Sequence, residues 1–135
     1  MSFRYKSALV SLVSLALGYG WYFGVLLAQR GHPAGPVSHL IFAVVITTVL
    51  QIAGHILIAV LPGEPRAAMD EREQAFDRRA TSVGYQILVV GALGAAATLC
   101  LGFDRAGMAN AIVLAIVVAE CARQAKFLKL HHSAV

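Results

Sequence analysis

Four apolar runs, at about residues 8–28, 37–61, 81–101 and 106–122, fill most of this chain. Each run is apolar on all sides. It shows neither the single stripe of a surface helix nor the alternation of a lipid-facing strand, so the pattern predicts spanning helices. A hydrocarbon core about 30 Å thick needs about 20 residues of helix at 1.5 Å each. Runs one and three match that length, run two is long enough to tilt, and run four is short but extendable. The connections at 29–36 (QRGHPAGP) and 101–107 (LGFDRAG) are short and rich in glycine and proline. Links of that kind force antiparallel neighbours. The expected fold is therefore all-α: a four-helix transmembrane bundle, up-down-up-down, forming one integral domain over residues 1–135. A short cytoplasmic amphipathic helix is expected at 66–80, between the second and third spans, and a basic tail at 123–135.

Composition agrees: 59% of residues are hydrophobic, 13% are charged and the mean hydropathy is +0.72. The charged share is about half the soluble norm of about 25%. The eleven Lys and Arg residues add orientation. Nine of them (Arg4, Lys6, Arg66, Arg72, Arg78, Arg79, Arg123, Lys126, Lys129) flank the spans at one end, and two (Arg30, Arg105) lie at the other. That asymmetry predicts cytoplasmic termini, N-in and C-in, and a cytoplasmic middle loop. The net charge of +4 then follows from topology, and no nucleic-acid partner is expected. The first run is about 21 residues long, too long for the apolar region of a cleavable signal. Cys100 and Cys121 fall at opposite ends of the third and fourth spans, so no disulfide between them is expected.

Small residues mark packing faces, because close backbone approach holds helices together in lipid. Ser7, Ser11, Ser14 and Gly18 line one face of the first helix, and Gly20 and Gly24 a neighbouring one. Gly84, Gly91, Ala95 and Thr98 mark the third helix; Ala111, Ala115 and Ala119 mark the fourth.

The middle segment at 62–80 holds nine of the eighteen formal charges. On a helical wheel Met69, Phe76 and Ala80 form a narrow apolar stripe. Asp70, Glu73 and Asp77 flank it on one side, Arg72 and Arg79 on the other. One reading is a solvated connector that extends the third helix; another is a seam between parallel copies, each acidic flank meeting the partner's basic flank. The triplet Asp70-Glu71-Arg72, followed by Arg79-Ala80 and by Gly84-Tyr85 at the mouth of a span, resembles small bacterial and archaeal multi-span membrane proteins. Those proteins, largely uncharacterised, carry an Asp-Glu-Arg signature before a transmembrane helix. The resemblance covers about 16 residues. It implies a recurring cytoplasmic element and a bacterial or archaeal cytoplasmic (inner) membrane, and it carries over no catalytic residue.

Polar groups inside apolar spans are functional candidates because each is costly to bury. Ser11 and Ser14 on the first helix, Gln51 and His55 on the second, Tyr85 and Gln86 on the third and, closest to the cytoplasmic boundary, Glu120 on the fourth all fall in the inner half of the bundle. Three readings compete for this cluster. It is interhelical glue, with Glu120 paired to Arg123; or a proton or substrate site built on His55 and Glu120; or a metal or haem site through His55. The last lacks a second mid-membrane histidine on another helix. His39, His32 and Asn110 gather at the far end, and Trp21, Tyr19 and Tyr22 suit an interfacial belt. No metalloprotease, nucleophile-elbow or phosphate-loop motif is present, so no enzyme activity and no cofactor are expected. The leading expectation is a small inner-membrane protein acting by association, as an accessory, sensory or structural subunit. It is expected to be a homo-oligomer (a parallel dimer), in contact with the lipid bilayer and open to a protein partner. The alternative is a small transporter or channel.

Overall fold

A computed structural model describes residues 3–28, 37–60, 71–102 and 104–133. They form four α-helices: α1 (Phe3–Ala28), α2 (Val37–Val60), α3 (Glu71–Cys100) and α4 (Arg105–His132). All four are long and apolar enough to cross a membrane. Two of the expected boundaries move. Residues 71–80, expected in a separate cytoplasmic helix, are the opening turns of α3, while 66–70 lie outside the described residues. The fourth helix runs ten residues past 122 and absorbs most of the expected tail. In both places strong helix formers (Glu, Arg, Gln, Ala, Lys, Leu) carry the hydrogen-bonded ladder on without interruption. At 1.5 Å per residue, α3 is about 45 Å long and α4 about 42 Å, so each outruns a hydrocarbon core of about 30 Å.

The α3–α4 connection is built from its residue types. The N–H of Gly102 bonds the Leu99 carbonyl at 3.2 Å, and Gly102 has φ +83°, a conformation that glycine adopts without steric cost. Asp104 is the N-cap of α4, and its side chain accepts from the Gly107 N–H at 2.7 Å.

Contacts fix the directions. Ser7 meets His55 and Gly18 meets Thr47, so α1 and α2 are antiparallel. Glu73 meets His131 and Gly91 meets Ala115, so α3 and α4 are too. Tyr22 meets Asn110 and Tyr5 meets His131, which sets α4 antiparallel to α1. Up-down-up-down follows. Lateral order, however, is not chain order. Among the described residues α1 packs against α2 and α4, and α3 packs against α4 alone. The contacts link the helices in the order α2–α1–α4–α3, and among the described residues no Cα of α2 comes within 8 Å of α3.

Where helices touch along their apolar lengths, most buried hydrophobic residues are small (Ala43, Ala95, Ala115 and Ala119), with Leu15 and Tyr22 of α1 the larger ones. Gly91 shows why. A Cβ on it would lie 2.6 Å from the Ala115 Cβ. The one cluster of buried hydrophobic side chains among the described residues lies at the charged end, where Ala8, Ala80 and Phe127 are buried together with Phe76 and Leu128 against them. Lipid tails are as apolar as leucine, so burying large side chains gains little within the spans and more where water is near. Gly20 and Gly24, the second small-residue face of α1, meet nothing.

Candidate functional site

The expected polar cluster divides between two helix seams. In the α1–α2 seam, His55 Nδ1 lies 2.6 Å from the Gln51 carbonyl oxygen, four residues back on its own helix. A carbonyl only accepts, so Nδ1 carries the proton and donates. In the neutral ring, Nε2 is then left to accept, and the Ser7 hydroxyl donates to it at 2.8 Å. Both ring nitrogens are thereby used, one to hold the ring orientation and one to reach α1. Ser14 is buried at 6% exposure, and Ser11 and Gln51 are half-buried. Further along the seam Thr47 is 4% exposed, and its Oγ1 has no hydrogen-bond partner. It faces the bare Cα of Gly18, where a Cβ would fall inside the hydroxyl's van der Waals envelope.

The second group lies in the α3–α4 seam. Arg123 donates to the Glu120 carboxylate through Nε at 3.1 Å and 3.2 Å and through Nη2 at 2.7 Å. Gln124 Nε2 donates to the same carboxylate at 2.8 Å. On its far side the Arg123 guanidinium reaches Asp77 of α3 at 3.8 Å. Two carboxylates thus bracket one guanidinium whose fork geometry suits them. No known family model, curated protein or solved structure matches the chain. The geometry has to speak alone.

It separates His55 from Glu120. The first is on α2, the second on α4, and no Cα of those helices comes within 8 Å of the other. Tyr85 is 67% exposed and Gln86 is exposed too, both turned out of the seams. Of the middle segment, Met69 and Asp70 lie outside the described residues. Phe76 packs on the Ala8–Ala80–Phe127 cluster of its own chain, with the Arg72 guanidinium 5.6 Å from its ring centre. Glu73 and Asp77 face α4, toward His131 and Arg123, each at 3.8 Å. Arg79 is exposed. At the other end Tyr22 is buried and donates to Asn110 Oδ1 at 2.7 Å, while Trp21 stays exposed. His32 lies outside the described residues. Among those described, no three His, Cys, Asp or Glu side chains gather as a metal site would.

Several of these roles escaped the sequence reading: Ser7 as the partner of His55, Thr47 as a seam residue, Gln124 on Glu120, and His131 between Tyr5 and Glu73. Spacing offered a signal only for Ser7, which continues the Ser11, Ser14 and Gly18 face. Removing the Ser7 hydroxyl with Ser7→Ala should cost about 0.5–1.5 kcal/mol, as interhelical hydrogen bonds in lipid do. His55→Ala should cost more, since ring packing is lost with the bond. Reversible unfolding by SDS from a mild detergent measures both. An unchanged midpoint for both variants would show that the bond contributes nothing to the seam.

Proposed function

We propose that the protein is a small integral protein of a bacterial or archaeal cytoplasmic membrane that acts by association, as an accessory, sensory or structural subunit assembled with further copies of itself. The observation that carries this reading is the open order of contacts α2–α1–α4–α3. Polar groups lie in separate seams and are largely paired there, so the described residues form no shared polar interior. Meanwhile α2 and α3 each pack on one neighbour and expose long apolar faces, with Ile52 at 56% and Val90 at 71% exposure. The parallel seam expected around Phe76 uses side chains that already make contacts within one chain, so the proposal moves self-association to the faces of α2 and α3. The basic excess falls at the end where residues 3–8, 55–60, 71–80 and 123–133 gather, which supports placing that end in the cytoplasm. A transport site would need His55 and Glu120 together, and these contacts hold them in different seams.

Cross-linking tests the proposal. With Cys100 and Cys121 replaced by alanine, a single cysteine at Ile52 or Val90 should give a dimer-sized product on oxidation in membranes. A cysteine at Ala43, buried in the α1–α2 seam, should not. If neither exposed position cross-links and the protein has a monomer's mass in mild detergent, self-association is wrong.

A further inference from the structure

At the charged end the carboxylates of α3 turn inward and two of its guanidiniums turn outward. Glu73 and Asp77 face α4, where they meet His131 and Arg123, and Glu120 lies in the same seam. Arg78 and Arg79 are exposed, and among the described residues neither joins an ion pair. A helix turns about 100° per residue, which puts Arg78, Arg79, Ser82, Tyr85 and Gln86 on one arc of about 120°. That arc is centred opposite the α4-facing line of Asp77, Gly84 and Gly91. All five residues are exposed. Over about 12 Å of helix, at 1.5 Å per residue, the arc passes from two guanidiniums through a hydroxyl and a phenol to an amide. It then continues into Val89 and Leu93, both exposed and apolar. Glu71 shares the arc but lies two turns earlier, about 10 Å before Arg78.

We propose that this arc binds the head of one anionic phospholipid, with the phosphate on Arg78 and Arg79 and the glycerol esters on Tyr85 and Gln86. The order of the groups selects the occupant. Phosphate oxygens and ester carbonyls only accept hydrogen bonds, and Arg, Ser, Tyr and Gln side chains all donate. A guanidinium fork matches phosphate oxygens in pairs. Beyond the donors, Val89 and Leu93 offer apolar surface where the acyl chains of such a molecule begin. A soluble acidic peptide would match the arginines and leave that apolar part of the arc uncovered. A second copy's α3 laid parallel on the same arc would set each arginine pair against its own counterpart, and like charges repel. The site goes beyond the association reading and does not depend on it. Copies that meet through α2, or along α3 nearer Cys100, leave the arc open.

Native mass spectrometry of the full chain released from a mild detergent counts bound lipids. Offered equal amounts of phosphatidylglycerol and phosphatidylcholine, the protein should retain a single phosphatidylglycerol with a preference of about tenfold. Arg78→Gln combined with Arg79→Gln should cut that retention about tenfold. Far-ultraviolet circular dichroism should stay unchanged, because both side chains are exposed. Tyr85→Phe keeps every charge and should cut retention about threefold. Lys129→Gln, on the exposed side of α4, should bind as the parent does. Equal retention of the two lipids, no loss in Tyr85→Phe, or an equal loss in Lys129→Gln and the arginine variant would each mean diffuse attraction of anions to a basic end. Any of the three would overturn the proposal. So would displacement of the lipid by inorganic phosphate or by a soluble acidic peptide at matched concentration, because the arc would then read charge alone.

Discussion

Gly18→Ala should open the α1–α2 seam and destabilise the protein by about 1–3 kcal/mol, the ordinary cost of forcing extra atoms into packed space. The added Cβ collides with the Thr47 hydroxyl and lies 3.2 Å from the Thr47 Cβ. Because that hydroxyl is buried without a partner, Thr47→Ala alone should be nearly neutral or slightly stabilising. Together the two changes should cost clearly less than Gly18→Ala alone. Removing the oxygen leaves only the 3.2 Å carbon approach, which a shift of a few tenths of an ångström relieves. SDS unfolding of the four proteins closes a double-mutant cycle. Strict additivity would show that Gly18 and Thr47 do not meet in the membrane as they do here.

The second large effect is expected at Arg123. Arg123→Ala strips Glu120 of its guanidinium, leaves it only Gln124, and removes the contact to Asp77. Hydrogen bonds to charged groups each contribute about 1.5–3 kcal/mol. The side chains here are about a third exposed, and solvent screens the pairing accordingly, so a loss of about 2 kcal/mol is expected. Arg123→Lys should recover part of it, since an ammonium supplies charge but not the two-pronged geometry. Glu120→Gln should cost about 1 kcal/mol, because an amide oxygen still accepts from Arg123 and Gln124. A cost below 0.5 kcal/mol for Arg123→Ala would reclassify the network as an ordinary solvated surface pair, for which about 0–1 kcal/mol is normal.

Glu120 illustrates what depth alone can miss. Its place near the cytoplasmic boundary puts it in the same inner half as His55, Ser11, Tyr85 and Gln86, and depth along a helix is legible from residue count. Rotation about the axis and the identity of the neighbour are not legible in that way. A span apolar on all sides has almost no preferred face, so nothing local tells Tyr85 to turn outward or Ser14 inward. Phe76 makes a related point. Its stripe was readable, but whether α4 of the same chain or a partner's helix covers it depends on how far α4 continues past 122. Here α4 continues to His132.

The number of spanning helices, the antiparallel alternation and the charge asymmetry between the two ends were determined by the sequence alone. Each rests on short-range physics: apolar run length against bilayer thickness, turn formers in short links, and the clustering of Lys and Arg. Small-residue faces were visible on α1 and α3, and less distinctly on the alanine-rich α4. The tertiary structure alone decided which of these faces are used. Ser7 to Gly18 packs on α2, Ala115 and Ala119 pack on α3, and Gly20 and Gly24 meet nothing. It also decided the lateral order α2–α1–α4–α3, which holds His55 away from Glu120. The reason is that helices in lipid gain little from burying large apolar side chains. Order is set instead by close backbone approach and a few hydrogen bonds between residues far apart in the chain, and no local pattern encodes that sum.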